Sequence, residues 1–448
     1  MMKNKKWLLF IVLIPLLCLG SVGLYFLPPV HDRLAWRLDE LMLNLKYRLN
    51  PPAQAVFVPQ GGKEGPSVAT LLPTVLPSLT PTVLPTEIVD STPVLASAKP
   101  TSTVILPSAT PAPISTPIPD RVVLKDVIYE DQHGRWNYCA PANLSMALSF
   151  WGWGGNRDVV GPFLKPDEKD KNVMPYEMAS YVQEHTELMA ISRVGGDLDL
   201  LKRLIASGFP VVVEKGTFLR DLTGVVSWMG HYQVVTGYDD AEEEFITQDS
   251  FVKADHPVSF VDMIKGWRAF NYAYLVIFPP EKEGEVIALL GPDADEMINY
   301  QNAALKASNE IYGLAGIDQY FAWFNRGSSL VNLQDYAGAA AAYDESFAIY
   351  PTIPEAERPW RMMWYQTGPY FAYFYAQRYY DVLYLADGTL SAMQGDQNLE
   401  ESYYWRAMAK AALGDTSGAI ADYRTSLKYH PGFGPAIYQL QLLGVENP

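Results

Sequence analysis

The chain has 448 residues, 49% of them hydrophobic and 13% aromatic, which is enough apolar material for two or three cored domains and excludes wholesale disorder. A formal charge of −16 argues against general nucleic-acid binding, which needs clustered lysine and arginine. With only two cysteines, Cys18 and Cys139, a disulfide framework and an all-cysteine metal cluster are both excluded.

The N-terminal region, residues 1–50, reads as an anchor. Residues 7–27 carry no charge over 21 positions, enough to cross a hydrocarbon core of about 30 Å. Lys3, Lys5 and Lys6 precede this run, so the positive-inside tendency places the N-terminus in the cytoplasm and everything after Leu27 outside. The expectation is a single-pass membrane protein with extracytoplasmic C-terminal domains. A cleaved signal peptide, leaving a secreted chain, is the rival reading. Leu34, Leu38, Leu41 and Leu45 follow at three- and four-residue steps, the pattern of a juxtamembrane amphipathic helix. Cys139 is then the single cysteine of the exported part, and an exported thiol with no partner in its own chain needs a reason.

Residues 51–120 read as a disordered linker. Between 66 and 119 there are 12 prolines and 17 serines or threonines, with only Glu87, Asp90 and Lys99 charged. Proline removes backbone donors and fixes φ, so neither helix nor sheet can run through such a stretch. The expected role is that of a spacer.

Residues 121–282 mix strand and helix signals and predict an α+β domain. VVLKDVIYE alternates like a strand; FPVVVEKG, HYQVVTGYDD, EEFITQDS and YAYLVIF are short β-rich runs bounded by turn formers. MPYEMASYVQEH and DLDLLKRLIASG carry helical spacing, and Gly208 can end the second. In DQHGRWNYCAPANLSMALSFWGW a helix begins at Cys139, with Pro141 suited to its first turn. A thiol at a helix N-terminus is favoured as the thiolate by unpaired amides and the helix dipole. Gln132, seven residues earlier, could donate into an oxyanion hole with the Cys139 amide. His231 begins one strand and Asp249 ends the next, 18 residues later; a hairpin turning at 239–240 brings them side by side, so that Asp249 orients the imidazole and His231 activates Cys139. His133 is too close to Cys139 in sequence to reach across a cleft, and His185 and His256 lack partners at ligand spacing. No metal motif is present and no cofactor is expected.

At these residues the sequence resembles the papain-like bacteriocin-processing cysteine peptidases, and more closely their stand-alone C 39-like relatives. The match rests on Gln132, the Cys-x-Pro-Ala start at Cys139, Gly208-Phe209-Pro210 leading a strand, His231 with Gly237-Tyr238 after it, and Asp249. A helix across Phe260 and Trp267 before a last strand fits the same family. The resemblance implies Cys139 as nucleophile, His231 as base, Asp249 as orienter and Gln132 as oxyanion donor. The chain departs from the family at Ala140, where glycine is usual, and it has no transporter domain, so cleavage after a double glycine is not carried over.

Residues 296–446 predict helices throughout. Residues 320–351 align with 400–431, matching Gly327 to Ala407, Ala339 to Ala419, Tyr343 to Tyr423, Ser346 to Ser426 and Pro351 to Pro431. The period and the small, aromatic and proline positions look like the tetratricopeptide repeat. A weaker middle copy is expected over 366–398, and an additional helix over 299–313. Such repeats stack into a solenoid whose groove binds peptide or protein partners. The aromatics of 360–380 either line that groove or pack helix on helix.

The overall expectation is a multi-domain protein: transmembrane anchor, Pro/Thr/Ser linker, α+β papain-like peptidase domain, and all-α repeat solenoid. It predicts a thiol peptidase acting on a peptide or protein substrate, with a protein partner on the repeats, the membrane at its N-terminus and no nucleic acid. Two alternatives stand beside it: a catalytically silent scaffold that binds envelope proteins, and a thiol acyltransferase.

Overall fold

A computed structural model describes residues 56–61, 118–220, 226–393 and 397–446, together with isolated positions between 23 and 49. The anticipated span at 7–27 lies outside the described residues apart from Gly23, as does nearly all of the linker. Among the described residues no helix is long and apolar enough to cross a membrane. Leu38, Leu41 and Leu45 are helical and exposed, as the amphipathic pattern anticipates.

The first region is an antiparallel sheet covered by helices on both faces. Its strands are β1 (Arg121–Val123), β2 (Met189–Arg193), β3 (Val211–Arg220), β4 (Val226–Asp239), β5 (Glu244–Asp249), β6 (Lys253–Ser259) and β7 (Tyr274–Phe278). They lie in the order β2-β7-β3-β4-β5-β6, with β1 paired to β4. The long strands are apolar on both faces because both are covered. Val212, Val234 and Leu275 face one cluster with α1 (Cys139–Ser149), α2 (Arg157–Leu164) and α3 (Pro175–His185). Val211, Val213, Val235 and Val276 face the other, with α4 (Leu198–Ala206), α5 (Phe260–Arg268) and α6 (Glu283–Leu290). Helix α1 is apolar nearly all round, and Ala140 through Ser149 are buried, the signature of a central helix. Asn156 caps α2, Pro175 opens α3, and Asp197 caps α4, whose exit is turned by Gly208 at φ 87°.

One strand reading fails. Of VVLKDVIYE only Val122 and Val123 join the three-residue β1, because Asp126 adopts φ 73° and turns the chain off the ladder. Beyond the turn the segment is held by side chains, with Ile128 N donating to Ser149 Oγ at 2.9 Å.

The second region is helical: α7 (Glu296–Ile311), α8 (Gly316–Asn332), α9 (Tyr336–Ile349), α10 (Met362–Tyr365), α11 (Gly368–Tyr375), α12 (Tyr379–Ser391), α13 (Glu400–Ala412), α14 (Thr416–Tyr429) and α15 (Gly434–Leu442). The α8–α9 and α13–α14 pairs are built alike. Asp335 and Asp415 cap the second helix of each pair, accepting from Gly338 N and Gly418 N at 2.9 Å. Tyr343 and Tyr423 are buried in the gap between the paired helices. The stretch expected to hold a weaker middle copy forms α11 and α12, and the expected additional helix is α7. Of the ten aromatics at 360–380, Trp364, Tyr370 and Tyr373 are buried and Trp360, Tyr365, Phe371, Phe374 and Tyr379 pack half-buried against the same clusters, so helix packing claims most of them.

The two regions share a core. Trp228, Ala269 and Phe270 of the sheet region sit in one apolar cluster with Tyr320, Phe321, Tyr370 and Trp405 of the helical region. Trp228 stacks on Phe270 with centroids 5.9 Å apart and meets Tyr365 edge-on at 6.0 Å. Residues 56–61, expected to belong to the linker, pack on the helical region: the Phe57 ring meets Phe347 edge-on at 5.0 Å.

Candidate active site

Cys139 is the first residue of α1 and is half-buried. A helix N-terminus, with its unpaired amides and the positive end of its dipole, is a setting that favours the anion. The β4–β5 hairpin carries the other two groups. Its antiparallel register, with Val234 opposite Gln248, brings His231 and Asp249 together across the turn. His231 Nε2 lies 2.8 Å from Asp249 Oδ1, and both side chains are buried. Nδ1 is therefore the ring nitrogen left for Cys139, with which His231 shares a side-chain hydrogen bond.

Asp249 is held on every side. Beyond His231, it accepts from Gln233 Nε2, from Phe251 N at 2.8 Å and from Val252 N at 3.1 Å. Burial opposes its charge, but the imidazole and these donors outweigh burial and hold the carboxyl well below its usual range. Burial likewise opposes a charged imidazole; the Asp249 carboxylate and the bonds to Asp249 and Cys139 overcome it and raise His231 to about 9. For Cys139, burial pushes the thiol up, while the His231 hydrogen bond and charge, the Tyr232 amide and the Lys165 ammonium bring it below its ordinary value. The three shifts together favour a thiolate–imidazolium pair resting on a carboxylate.

Gln132 is tied to the same hairpin. Its backbone N donates to Ser250 O at 2.8 Å, and its Oε1 accepts from Ser250 Oγ at 2.8 Å. With the carbonyl end fixed, the side-chain NH2 is the free donor end. Ser250 Oγ also accepts from Asn143 Nδ2 at 2.9 Å, and Asn143 Nδ2 reaches Cys139 O and Tyr232 O, each at 2.9 Å. Asn143 thus pins the first turn of α1 to β4 and, through Ser250, to the Gln132 loop in one network, beside the His231–Asp249 pair on the same hairpin. His133 is exposed beside Asp131, and His256 lies on β6; neither enters this network.

Several residues around the thiol were not anticipated. Asn143, Ser250 and Gln233 left a trace in the sequence: an amide one helical turn after Cys139 in an otherwise apolar helix, a serine directly after Asp249, and a glutamine two positions after His231 on the same face. Lys165 left none. Its ammonium is buried, donates to Trp136 O and to Glu168 O at 3.0 Å, and is brought down to about 8 chiefly by burial. Glu214, buried across from Tyr232 on β3, is pushed well above the carboxylate range by burial. Tyr365 of α10 lies over Gly230, where an added Cβ would come within 3.2 Å of its ring, so the helical region stands against the residue preceding His231.

Comparisons with known proteins agree with this architecture. Residues 124–275 match the family model described as the Peptidase_C39 like family, and residues 322–353 and 401–432 match tetratricopeptide repeat models. The chain carries a C 39-like peptidase domain followed by tetratricopeptide repeats. Among solved structures, a protein described as a C 39-like peptidase from Bacillus anthracis matches at 16% identity, covering 35% of this chain and 96% of that one, with a TM-score of 0.29. Xylellain, a cysteine protease from Xylella fastidiosa, matches at 16% identity over 36% of this chain and 87% of that one, with a TM-score of 0.28. No curated protein matches.

Proposed function

We propose that this chain is a membrane-anchored cysteine peptidase whose catalytic and repeat domains face outward, with the repeats engaging a protein partner or substrate. The observation that carries the peptidase reading is the 2.8 Å contact of His231 Nε2 with Asp249 Oδ1, which leaves Nδ1 to the Cys139 thiol. In this reading the Cys139 thiolate attacks a peptide carbonyl carbon, and the Cys139 amide and Gln132 Nε2 receive the oxyanion. The His231 imidazolium gives its proton to the leaving amine as the C–N bond breaks, forming a thioester. Water, deprotonated by the now neutral imidazole, attacks the thioester carbonyl; the C–S bond breaks, the acyl fragment leaves as its carboxylic acid, and the thiolate–imidazolium pair is restored. The placement at the membrane rests on the uncharged run at 7–27 and the lysines before it.

The test is alkylation of the full chain by iodoacetamide across pH, with peptide hydrolysis read alongside. Cys139 is expected to react at a pH well below that of a free thiol, and Cys139→Ala and His231→Ala are each expected to abolish hydrolysis. A thiol that alkylates like free cysteine, with His231→Ala leaving its pH profile unmoved, would falsify the peptidase reading. Protease accessibility of the repeats in intact cells against permeabilised ones tests the topology, and protection that persists until permeabilisation refutes an outward-facing head.

A further inference from the structure

Residues 56–61 lie in a cleft of the helical region built from the C-terminal end of α9, from α10 and from α12. Their burial alternates: Phe57 and Pro59 are partly buried, while Val56, Val58 and Gln60 are exposed. This is the alternation of an extended chain presenting every second side chain to a surface. Two features anchor it. The Phe57 ring sits edge-on to Phe347 at 5.0 Å and lies 5.9 Å from Tyr373. Gln60 N donates to Asp381 Oδ1 at 2.7 Å. Asp381 is itself buried in the first turn of α12, and its other oxygen accepts from Arg378 Nε at 2.7 Å. A buried carboxylate that takes a main-chain amide of an extended segment is a contact that reads backbone, whereas the aromatic slot reads side chain.

The segment does not fill its cleft. A cavity of about 310 Å³ remains beside it, lined by Phe57, Val58, Tyr350, Trp360, Met363 and Tyr384 among others. The chemistry of the cleft therefore suits a peptide with the same Phe-x-Pro spacing.

The geometry points to a recognition site for an extended peptide segment that carries an aromatic residue two positions before a proline, occupied in cis by Phe57, Pro59 and the Gln60 amide as a tethered competitor. An incoming partner segment of that pattern displaces the internal one, exchanging one aromatic anchor and one amide-to-carboxylate bond for the same pair. A tethered segment acts at an effective concentration on the order of millimolar, so one that binds with a dissociation constant of about 0.1 mM weakens an external competitor about tenfold. The inference is independent of the thiol chemistry proposed above.

The test uses the full chain and a fluorescein-labelled synthetic peptide spanning residues 53–62, followed by fluorescence anisotropy. Phe57→Ala removes the cis anchor, and Gln60→Pro removes the cis amide donor; both leave the helical walls of the cleft unsubstituted. Each is expected to bind the labelled peptide about tenfold more tightly than the unsubstituted chain. A peptide with alanine for its phenylalanine should lose binding to all three chains. Equal affinity of the unsubstituted and Phe57→Ala chains, or no saturable binding to Phe57→Ala, overturns the proposal. Unchanged Cys139 alkylation in both variants establishes that the chains compared are equally folded.

Discussion

At the scale of single residues, the site is governed by how many donors Asp249 collects. Its two oxygens accept from His231, Gln233 and the amides of Phe251 and Val252, so the carboxylate stays ionised while buried and in turn holds a proton on the imidazole up to about 9. The sign follows directly. The imidazolium is fully present below the ordinary histidine range and is lost as pH rises through about 9; the thiolate, whose pKa is lowered, is lost only as pH falls. Hydrolysis should therefore show an alkaline limb near 9, and Asp249→Asn should move that limb downward and lower turnover, measured as kcat against pH. Gln132→Ala is predicted to lower kcat by about 10²-fold, the usual effect of removing one oxyanion donor, while leaving the iodoacetamide rate of Cys139 unchanged. An equal loss in both measurements would show that Gln132 shapes the thiol and not the oxyanion. Gln132, Cys139, His231 and Asp249 were legible because each residue type, in that chain order, has a chemical task. Lys165 was not, since a lysine just past the end of a short helix is ordinary until the fold buries it near a thiol.

At the scale of elements, the close approach of α8 and α9 depends on Gly327. A Cβ built there would lie 2.8 Å from the Tyr343 ring, which is itself fully buried and bonded to Ser328 Oγ at 3.0 Å. Gly327→Ala should destabilise the chain by about 1–3 kcal/mol, as overpacking does, read from denaturant unfolding. The matching position of the later pair already carries a methyl, Ala407, against Tyr423, so Ala407→Gly should not gain what Gly327→Ala loses. A neutral Gly327→Ala would mean that the first pair opens as freely as the second. The repeat pairs could be read from sequence because small residue, aromatic and cap recur at one period. The β1 strand could not be sized, because its end is set by Asp126 turning to positive φ, which alternation of side chains does not report.

At the scale of the molecule, the peptidase and repeat regions are welded by Trp228 and Phe270, residues that look like ordinary strand and turn members in the sequence and become core only once α8 and α10 cover them. Arg361 reinforces the seam by donating to Trp228 O at 3.0 Å. A second seam is acidic. Glu401 Oε1 accepts from Asn172 Nδ2 at 3.1 Å, Glu400 Oε1 meets His430 Nδ1 at 2.9 Å, and Asp170 and Glu177 face them from the peptidase side. Burial raises all four carboxyls, Glu177 to about 8; repulsion among them adds to it at Glu177, Glu400 and Glu401, whereas at Asp170 the Lys165 ammonium and nearby amides partly offset burial. A carboxyl whose folded pKa exceeds its unfolded value contributes stability that is whole below the unfolded value, near 4, and is lost as pH rises through the folded one. His231, raised to about 9, adds a loss in the same direction at higher pH, whereas Asp249 and Cys139, both lowered, lose their contribution only on acidification. The thermal midpoint of the full chain should accordingly fall between about pH 5 and pH 8, before the imidazolium is lost. Glu177→Gln removes one of the titrations while keeping an acceptor for Met174 N, which now bonds Glu177 Oε2 at 2.7 Å. Its midpoint should fall less steeply over that window, and a slope identical to that of the unsubstituted chain would show that the acidic seam does not report on folding.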